Sequence, residues 1–369
     1  MKFDTVIVGA GFAGCVIAER LASEKNEKVL IIEKKEHIGG HCYDYYDNNG
    51  VLIHKYGPHI FHTNSEKVWN YISKFTRFDI YYHRVLGVID GQKVPIPFNL
   101  NTLHALYPES IASRIEQNLI DRFGFGGKIP ILKLREENDN DLKKLADFIY
   151  EKVFLHYTQK QWGLKPEELG EEVTGRVPVF ISRDNRYFQD RFQGMPSGGY
   201  ARLFENMLDN PNIRIILNTD YKEIISDLEY NRLVYTGAID YFFDYKFGEL
   251  KYRTLDFETE HIADGFFQEV ATVNYPNDFD FTRITDYKRL TSGNSKGTTI
   301  MKEYPRDAVI AEDPLYYPMF TDEWKALYSK YYHEAEKLKN VVFIGRLAEY
   351  RYYNMDAVIY SALEKVKTL

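Results

Sequence analysis

Cysteine is nearly absent from this chain: Cys15 and Cys42 are the only two in 369 residues. Two thiols cannot make a disulfide framework, so the fold must rest on a buried core, and a chain of this length can build a large one. No apolar run approaches the length of a membrane span, so membrane insertion is not expected. Strand-like residues begin directly after Met1, which leaves no room for a secretory leader and predicts a cytoplasmic protein. Positive charge is in slight deficit, with a formal net charge of −7. That balance argues against nucleic-acid binding, and it means that an anionic ligand must be met by individually placed arginines. Internal repeats and low-complexity linkers are missing as well. His59 and His62 have no cysteine or carboxylate ligands at suitable spacing, and His333-Glu334-Ala-Glu departs from the zinc-protease pattern, so no metal is expected. Aromatic residues, by contrast, are plentiful, with 30 Tyr and 24 Phe. Most suit strand-rich regions, but such rings also stack on bases and sugars, and their hydroxyls reach phosphates.

The most informative stretch is Val6-Ile-Val-Gly9-Ala-Gly11-Phe12-Ala-Gly14-Cys15. A β-branched run enters Gly-x-Gly-x-x-Gly, a helical pattern follows to about Ser23, and a second apolar run, Val29 to Ile32, ends on Glu33 with Lys34 beside it. In such a strand–turn–helix–strand unit Gly9 makes the tight turn, Gly11 lets a pyrophosphate reach the backbone, and Gly14 permits close helix–strand packing. The helix N-terminus faces the phosphates, and Glu33 is suited to accept hydrogen bonds from ribose hydroxyls. Gly39-Gly40-His41 follows closely. This arrangement resembles the FAD-binding families related to amine oxidases, in which a second glycine pair lies near the FAD phosphates. Gly124-Phe-Gly126-Gly127-Lys128 is a decoy, because no strand leads into it and no Ser or Thr follows the lysine; it reads as a flexible loop. No second unit of this type is present to hold a nicotinamide.

Three textures alternate along the rest of the chain. Val85 to Ile89, Asp90-Gly91 and Lys93 to Ile96 read as a β-hairpin. From Thr102 to about Gly170 the pattern is helical, with Leu142, Leu145, Ala146, Ile149, Val153 and Phe154 on one face. Tyr200 to Leu208 reads as a helix and Ile213 to Leu217 as a strand rejoining the nucleotide-binding sheet. Tyr241 to Phe247, Glu269 to Asn274, Phe281 to Asp286 and Thr298 to Glu303 resemble antiparallel strands. Val341 to Gly345 is a strand ending in glycine, followed by Arg346, a Tyr-rich loop and a helix from about Met355 to Val366. The expected fold is α/β: a discontinuous Rossmann-like FAD-binding domain (1–83, 190–238 and 335–369), a helical-bundle insert (100–176), and an antiparallel β-sheet domain (84–99, 177–189 and 239–334).

Several strings, spread over nearly the whole chain, carry a more specific resemblance. They are Tyr56-Gly-Pro-His59-Ile60-Phe-His62-Thr, Tyr157-Thr-Gln-Lys-Gln-Trp162-Gly, Gly175-Arg176-Val-Pro-Val and Phe192-Gln-Gly-Met195-Pro. After them come Thr282-Arg283, Lys302-Glu303-Tyr304-Pro, Tyr316-Tyr317-Pro318, Gly345-Arg346-Leu and Tyr352-Tyr-Asn354-Met355-Asp356. In order and spacing they resemble the bacterial UDP-galactopyranose mutases. The resemblance implies reversible ring contraction of UDP-galactopyranose to UDP-galactofuranose on non-covalently bound, reduced FAD. Flavin N5 would attack sugar C1 and expel UDP with no net redox change. It further implies an FAD domain, a helical bundle and a six-stranded antiparallel sheet, an external reductant, and, by analogy, a homodimer.

Residue by residue, the resemblance places Arg176 and Arg283 on the diphosphate, where a guanidinium fork stabilises the departing UDP. Arg176 follows the acidic run Glu167 to Glu172 in a Gly-containing loop suited to swing in with substrate. Tyr157 and Trp162 fall at the uridine end, Tyr187, Tyr316 or Tyr317, and Tyr352 at the diphosphate, and Asn274 and Glu303 on the substrate side. His59, Ile60, His62 and His41 fall near the flavin, with Gly40, Gly345, Arg346, Met355 and Asp356 completing its site. A histidine there would favour the reduced, anionic flavin. One departure stands out: Tyr353-Asn354-Met355-Asp356 occupies the place of a family Leu-Asp-Met-Asp. The lost charge bears on which hexose is taken, and a mutase for another UDP-hexose, such as UDP-N-acetylgalactosamine, is the alternative. A flavin oxidase or dehydrogenase of the amine-oxidase type would share the N-terminal fingerprint, but the two arginines and the Tyr/Trp strings argue against it.

Overall fold

The computed structural model describes every residue except Met1, Ser292 and Ala311. Its first layer is a five-stranded, wholly parallel sheet in the order Ile213–Ile216, Val29–Ile32, Lys2–Val8, Glu229–Tyr235, Val341–Phe343. These strands are drawn from three distant parts of the chain, so the sheet is discontinuous in sequence. Val29, Leu30, Ile31 and Ile32 are all buried, as a strand covered on both faces requires. The helix Phe12–Lys25 packs against Gly199–Leu208 and Met355–Val366, closing one face around Ile7, Ile17, Leu21, Phe204 and Ile359. Both later helices begin and end within a residue of their expected bounds, and the strand at Ile213 joins the sheet as expected.

A second core joins the helical region to the hairpin. Helices Leu100–Leu106, Glu109–Phe123 and Asn140–Ile149 bury Leu103, Ala112, Ile115, Leu119, Leu142, Leu145 and Ile149 against Val85, Ile89, Val94 and Ile96. Asp139 starts the last of these helices by accepting from the backbone N–H groups of Asp141 and Leu142. The chain then continues through a π-helical stretch, Tyr150–Leu155, into the helix His156–Trp162. A wider turn here re-aims the side chains that follow, a feature often found at functional sites. The Gly124–Lys128 segment is tied to its neighbours, since Gly126 N donates to Ile181 O and Lys128–Ile129 pairs with Val179–Phe180.

The third layer is a seven-stranded sheet, in the order Tyr317–Pro318, Tyr252–Ile262, Thr298–Asp307, Arg283–Asp286, Thr272–Asn274, Val85–Ile89, Gln92–Ile96. It is antiparallel except where Thr272–Asn274 runs parallel to Val85–Ile89. The count therefore exceeds the expected six by the two-residue strand at Tyr317. A second correction concerns Tyr241 to Phe247, which forms no strand. Ile239–Phe242 is a short helix, and Asp244 and Tyr245 have φ of 52° and 54°. Aromatic composition suggested a strand, but these rings pack edge-on with Tyr235, Tyr331 and Phe343, and Asp240 accepts from Leu250 N to close a turn. The strand lies just beyond, at Tyr252–Ile262. Among the described residues no helix is long and apolar enough to cross a membrane.

Candidate active site

The Gly-rich turn is built for a dinucleotide phosphate. Gly9 has φ of 101°, and a Cβ there would lie 2.1 Å from Thr236 Oγ1. A Cβ on Gly14 would lie 2.1 Å from Gly9 O, so helix and turn touch only because both residues are glycine. Gly11 is the N-cap of Phe12–Lys25 and offers no side-chain cap, and no acid occupies the first turn, which leaves the first helical N–H groups for an anion. Phe12 is buried against Phe204, 4.6 Å between centroids, so its side chain serves the core and only its backbone faces the turn. Gly40 lies against Gly11, and Gly39 N donates to Ala10 O, bringing the second glycine pair onto the first. Glu33 is buried at the strand end, where it accepts from Ala10 N at 2.8 Å and Lys35 N at 3.0 Å. Lys34 points outward and is exposed; Lys35, which sequence reasoning passed over, is the inward neighbour, its amine lowered to about 8 by burial.

The far end of this cradle is closed by the C-terminal segment. Gly345 has φ of 99° and donates from its backbone to Glu349 at 2.7 Å. Arg346 is held by the carbonyls of Tyr316 and Tyr353, both at 3.1 Å. Asn354 is the N-cap of Met355–Val366, yet its amide oxygen accepts from Arg176 Nη2 at 2.7 Å rather than from the helix. That helix terminus therefore also faces the interior without a side-chain cap, with Asp356 in its first turn accepting from Ala357 N. His41 stacks on Tyr316 at 4.5 Å, and burial, with Lys35 and Arg346 nearby, holds its pKa well below the usual imidazole range. His59 is held down to about 4, chiefly by burial, and shares a hydrogen bond of 2.8 Å with Gly57 O. His59, Ile60, His62 and Met355 all border one cavity of about 300 Å³.

That cavity brings together residues from every layer. Sheet register puts Asn274, Arg283 and Glu303 in one row across three neighbouring strands. Glu303 is fully buried, accepts from Arg283 Nε at 2.7 Å, and its other oxygen has no partner in the described structure. The pairing pins the inner edge of Arg283 and turns the rest of the guanidinium to the cavity. Burial opposes the charge on Arg283, but Glu303 together with Tyr157 and Tyr317 outweighs it, and the pKa is raised. Opposite stands Arg176, following the short helix Glu171–Thr174, its guanidinium 3.9 Å from the centroid of the Tyr352 ring. Tyr352 stacks on Tyr317 at 5.6 Å and 17°, and Trp162 lies 5.6 Å from Tyr317. Tyr157 and Tyr187 border the same space, their phenols pushed up by burial, and Tyr187 N donates to His83 O. Tyr316 and Tyr317 part company: Tyr316 is 2% exposed and packs on His41 and Tyr56, whereas Tyr317 joins the Trp162–Tyr352 group. Arg176, Arg283 and Arg346 border the cavity, and among the described residues no carboxylate does.

Sequence reasoning missed Asp190, whose carboxylate lies 2.6 Å from His62 Nδ1 and is held low by that hydrogen bond. His62 is stacked on Phe188 at 3.6 Å, so its Nε2 edge is fixed in direction. Asp190 stands two residues before the Phe192 string, but nothing in linear spacing links it to His62. His83, also unforeseen, borders the cavity and is lowered to about 3 by burial. Among the described residues no group of three or more His, Cys, Asp or Glu is placed to hold a metal.

Comparison with known proteins agrees with this geometry. The family model for UDP-galactopyranose mutase matches residues 152–352, and one for an NAD(P)-binding Rossmann-like domain matches residues 7–75. The chain is 39% identical over 364 residues to a probable UDP-galactopyranose mutase of Klebsiella pneumoniae, covering 98% of this chain and 93% of the relative. It is 38% identical over 367 residues to the dTDP-fucopyranose mutase of Escherichia coli, covering 97% and 96%. A crystal structure of reduced UDP-galactopyranose mutase shares the fold, with a TM-score of 0.74 at 16% identity, over 100% of this chain and 93% of that one. With the dinucleotide cradle, the arginine-lined cavity and full-length likeness in agreement, the chain belongs to the UDP-galactopyranose mutase family of isomerases.

Proposed function

We propose that this protein interconverts UDP-galactopyranose and UDP-galactofuranose with non-covalently bound FAD in its reduced form. The observation that carries this is the cavity itself. Arg176 and Arg283 border one space, Tyr157, Trp162, Tyr317 and Tyr352 supply aromatic walls, and His59 and Met355 bound the side next to the Gly-rich cradle. The cradle suits FAD: two helix termini without side-chain caps would hold the diphosphate and the ring system, and Glu33 would accept from the ribose hydroxyls. Held there in its reduced form, FAD would supply a nucleophilic N5 for sugar C1 without net redox change.

The chain's own residues do the remaining work. Arg176 and Arg283 bind the diphosphate and stabilise the negative charge that grows on UDP as the C1–O bond breaks. Glu303 aims Arg283, and Asn274, next to Arg283 in the row, is assigned here to the sugar. Trp162 and Tyr157 hold the uracil end, while the hydroxyls of Tyr187, Tyr317 and Tyr352 bind phosphate oxygens. Tyr316 belongs to the flavin side. His62, oriented by Asp190, is placed to hold or pass a proton as the sugar ring opens and recloses. The cofactor contacts are assigned to Gly9, Gly11, Gly14, Gly40, His41, Ile60, Gly345, Arg346 and Asp356. Such a role calls for an external reductant and a cytoplasmic supply of nucleotide sugar.

A second substrate has support from two observations. The dTDP-fucopyranose mutase relative is nearly as similar as the galactose one, and Asn354, where the family resemblance implies an acid, accepts from Arg176 at the cavity. The test is a panel of UDP-galactofuranose, dTDP-fucofuranose and UDP-N-acetylgalactofuranosamine, each incubated with the flavin-loaded protein plus dithionite and resolved by chromatography. Preferential formation of UDP-galactopyranose supports the proposal. Preference for a different sugar moves the assignment to that substrate, and turnover of none overturns the mutase function.

A further inference from the structure

The helix His156–Trp162 and the loop between strands Thr272–Asn274 and Arg283–Asp286 adjoin, both contribute to the lining of the cavity, and one ammonium group joins them. Lys160 Nζ donates to the backbone carbonyls of Tyr275 at 2.5 Å, Asp278 at 3.4 Å, Phe279 at 3.1 Å and Phe281 at 3.2 Å. Among the described residues it makes no salt bridge, so a half-buried charge is met by four carbonyl oxygens sharing three N–H donors. The same junction is tied twice more. His156 Nδ1 and Asn277 Oδ1 are 2.9 Å apart, and Asn277 Nδ2 donates to Lys152 O at 2.9 Å. Behind the helix, the 5%-exposed Arg253 donates to Lys160 O and Gln161 O, holding the helix end from the other side.

We infer that Lys160 is a positioning residue for nucleotide binding: its ammonium, caged by the 275–281 loop, sets the separation of the uracil-side aromatics from the diphosphate-side row. Tyr157 and Trp162 are on the helix that carries Lys160, and Asn274 and Arg283 flank the loop that cages it. Neither pair reaches its partner without a fixed distance between the two segments. A lysine is suited to this task because a flexible stem lets a point charge settle among carbonyls that a planar guanidinium would not fit. The inference rests on the proposal that this cavity binds a uridine nucleotide, and the test separates the two.

The experiment titrates UDP into the flavin-loaded protein, its Lys160→Met variant and its Lys160→Ala variant, with flavin content and thermal midpoint recorded for each. Wild-type protein that fails to bind UDP defeats the nucleotide assignment and leaves the variants unneeded. If wild type binds, both variants are expected to keep their flavin and lose UDP affinity about ten- to hundredfold, the range for removing hydrogen bonds to a charged group. In steady state KM rises by that factor while kcat stays within about twofold, because the bond-breaking groups are intact. n-Propylammonium, which replaces the deleted stem and charge, restores affinity to Lys160→Ala, and n-propanol does not. Wild-type UDP affinity in Lys160→Met overturns the inference, as does rescue by n-propanol equal to that by n-propylammonium.

Discussion

Removing Arg283 should damage stability and binding through different partners, and the two effects can be separated. The Glu303 side chain is fully buried and that of Arg283 is 26% exposed, with 2.7 Å between Nε and Oε1. In Arg283→Ala the carboxylate stays buried with no counter-charge, and breaking such a pair costs about 3–5 kcal/mol. The low end applies, about 3 kcal/mol, because the cavity side of the site admits water. Replacing Glu303 by an apolar residue of similar size in the same chain, Arg283→Ala/Glu303→Met, removes the orphaned charge and should return about 2 kcal/mol of that loss. Affinity for UDP should not return, because the guanidinium proposed to bind phosphate is missing in both; the expected loss is about ten- to hundredfold. Urea unfolding of the flavin-loaded proteins, with UDP titration in parallel, measures both quantities. A double variant no more stable than Arg283→Ala would refute the pairing, and a double variant that regains UDP affinity would refute the role of Arg283.

Three other outcomes are expected. Gly9→Ala forces a Cβ to within 2.1 Å of Thr236 Oγ1 at φ of 101°; it should cost about 1–3 kcal/mol and yield protein purified without flavin, read from its visible spectrum. Asn354→Asp converts the Arg176 hydrogen bond into an exposed ion pair worth about 0–1 kcal/mol that competes with the diphosphate for Arg176, so UDP binding should weaken by up to about fivefold, while tighter binding would contradict that competition. Acid should unfold the flavin-free protein early. Burial depresses His41, holds His54 and His83 to about 3 and His59 to about 4, so below the unfolded value of 6.5 the unfolded chain binds protons that the folded one does not. Stability present above pH 6.5 is lost as pH falls toward 4. Asp44 and Asp240, raised by burial to about 6, act in the opposite sense between pH 6 and 4, but the four histidines outnumber them. A urea midpoint at pH 5 equal to or above that at pH 7 would contradict this balance.

Local pattern made much of this molecule legible. The Gly9–Gly14 turn, the Asp90-Gly91 hairpin and the helix from Met355 follow from short-range rules, and the structure has each where the residues place it. Tyr241 to Phe247 misled because aromatic content is a strand signal only when neighbouring strands are there to pack against; here tertiary packing prevailed. The alternation in Leu255-Asp-Phe-Glu-Thr-Glu is the better strand signal, and it lies within the strand Tyr252–Ile262. Glu229–Tyr235 hides its sheet role behind a polar first half, although its last three residues are buried. At the site, the family-like strings pointed to arginines and tyrosines that the structure brings to one cavity. What they could not show was register: that Asn274, Arg283 and Glu303 share a row, that Asp190 meets His62, or that Lys160 reaches a loop more than a hundred residues away. Those are properties of pairing between distant segments, and no local period encodes them.

The central claim is that a reduced flavin supports isomerisation without being consumed. The most direct measurement counts turnovers anaerobically: the protein's flavin is reduced once with dithionite, excess reductant is removed, and excess UDP-galactofuranose is added while absorbance and product are followed. The account predicts many molecules of UDP-galactopyranose per flavin, with the flavin still reduced at the end and no product from the oxidised protein. Product formed equally well by oxidised protein, or one equivalent of product for each flavin oxidised, would contradict it.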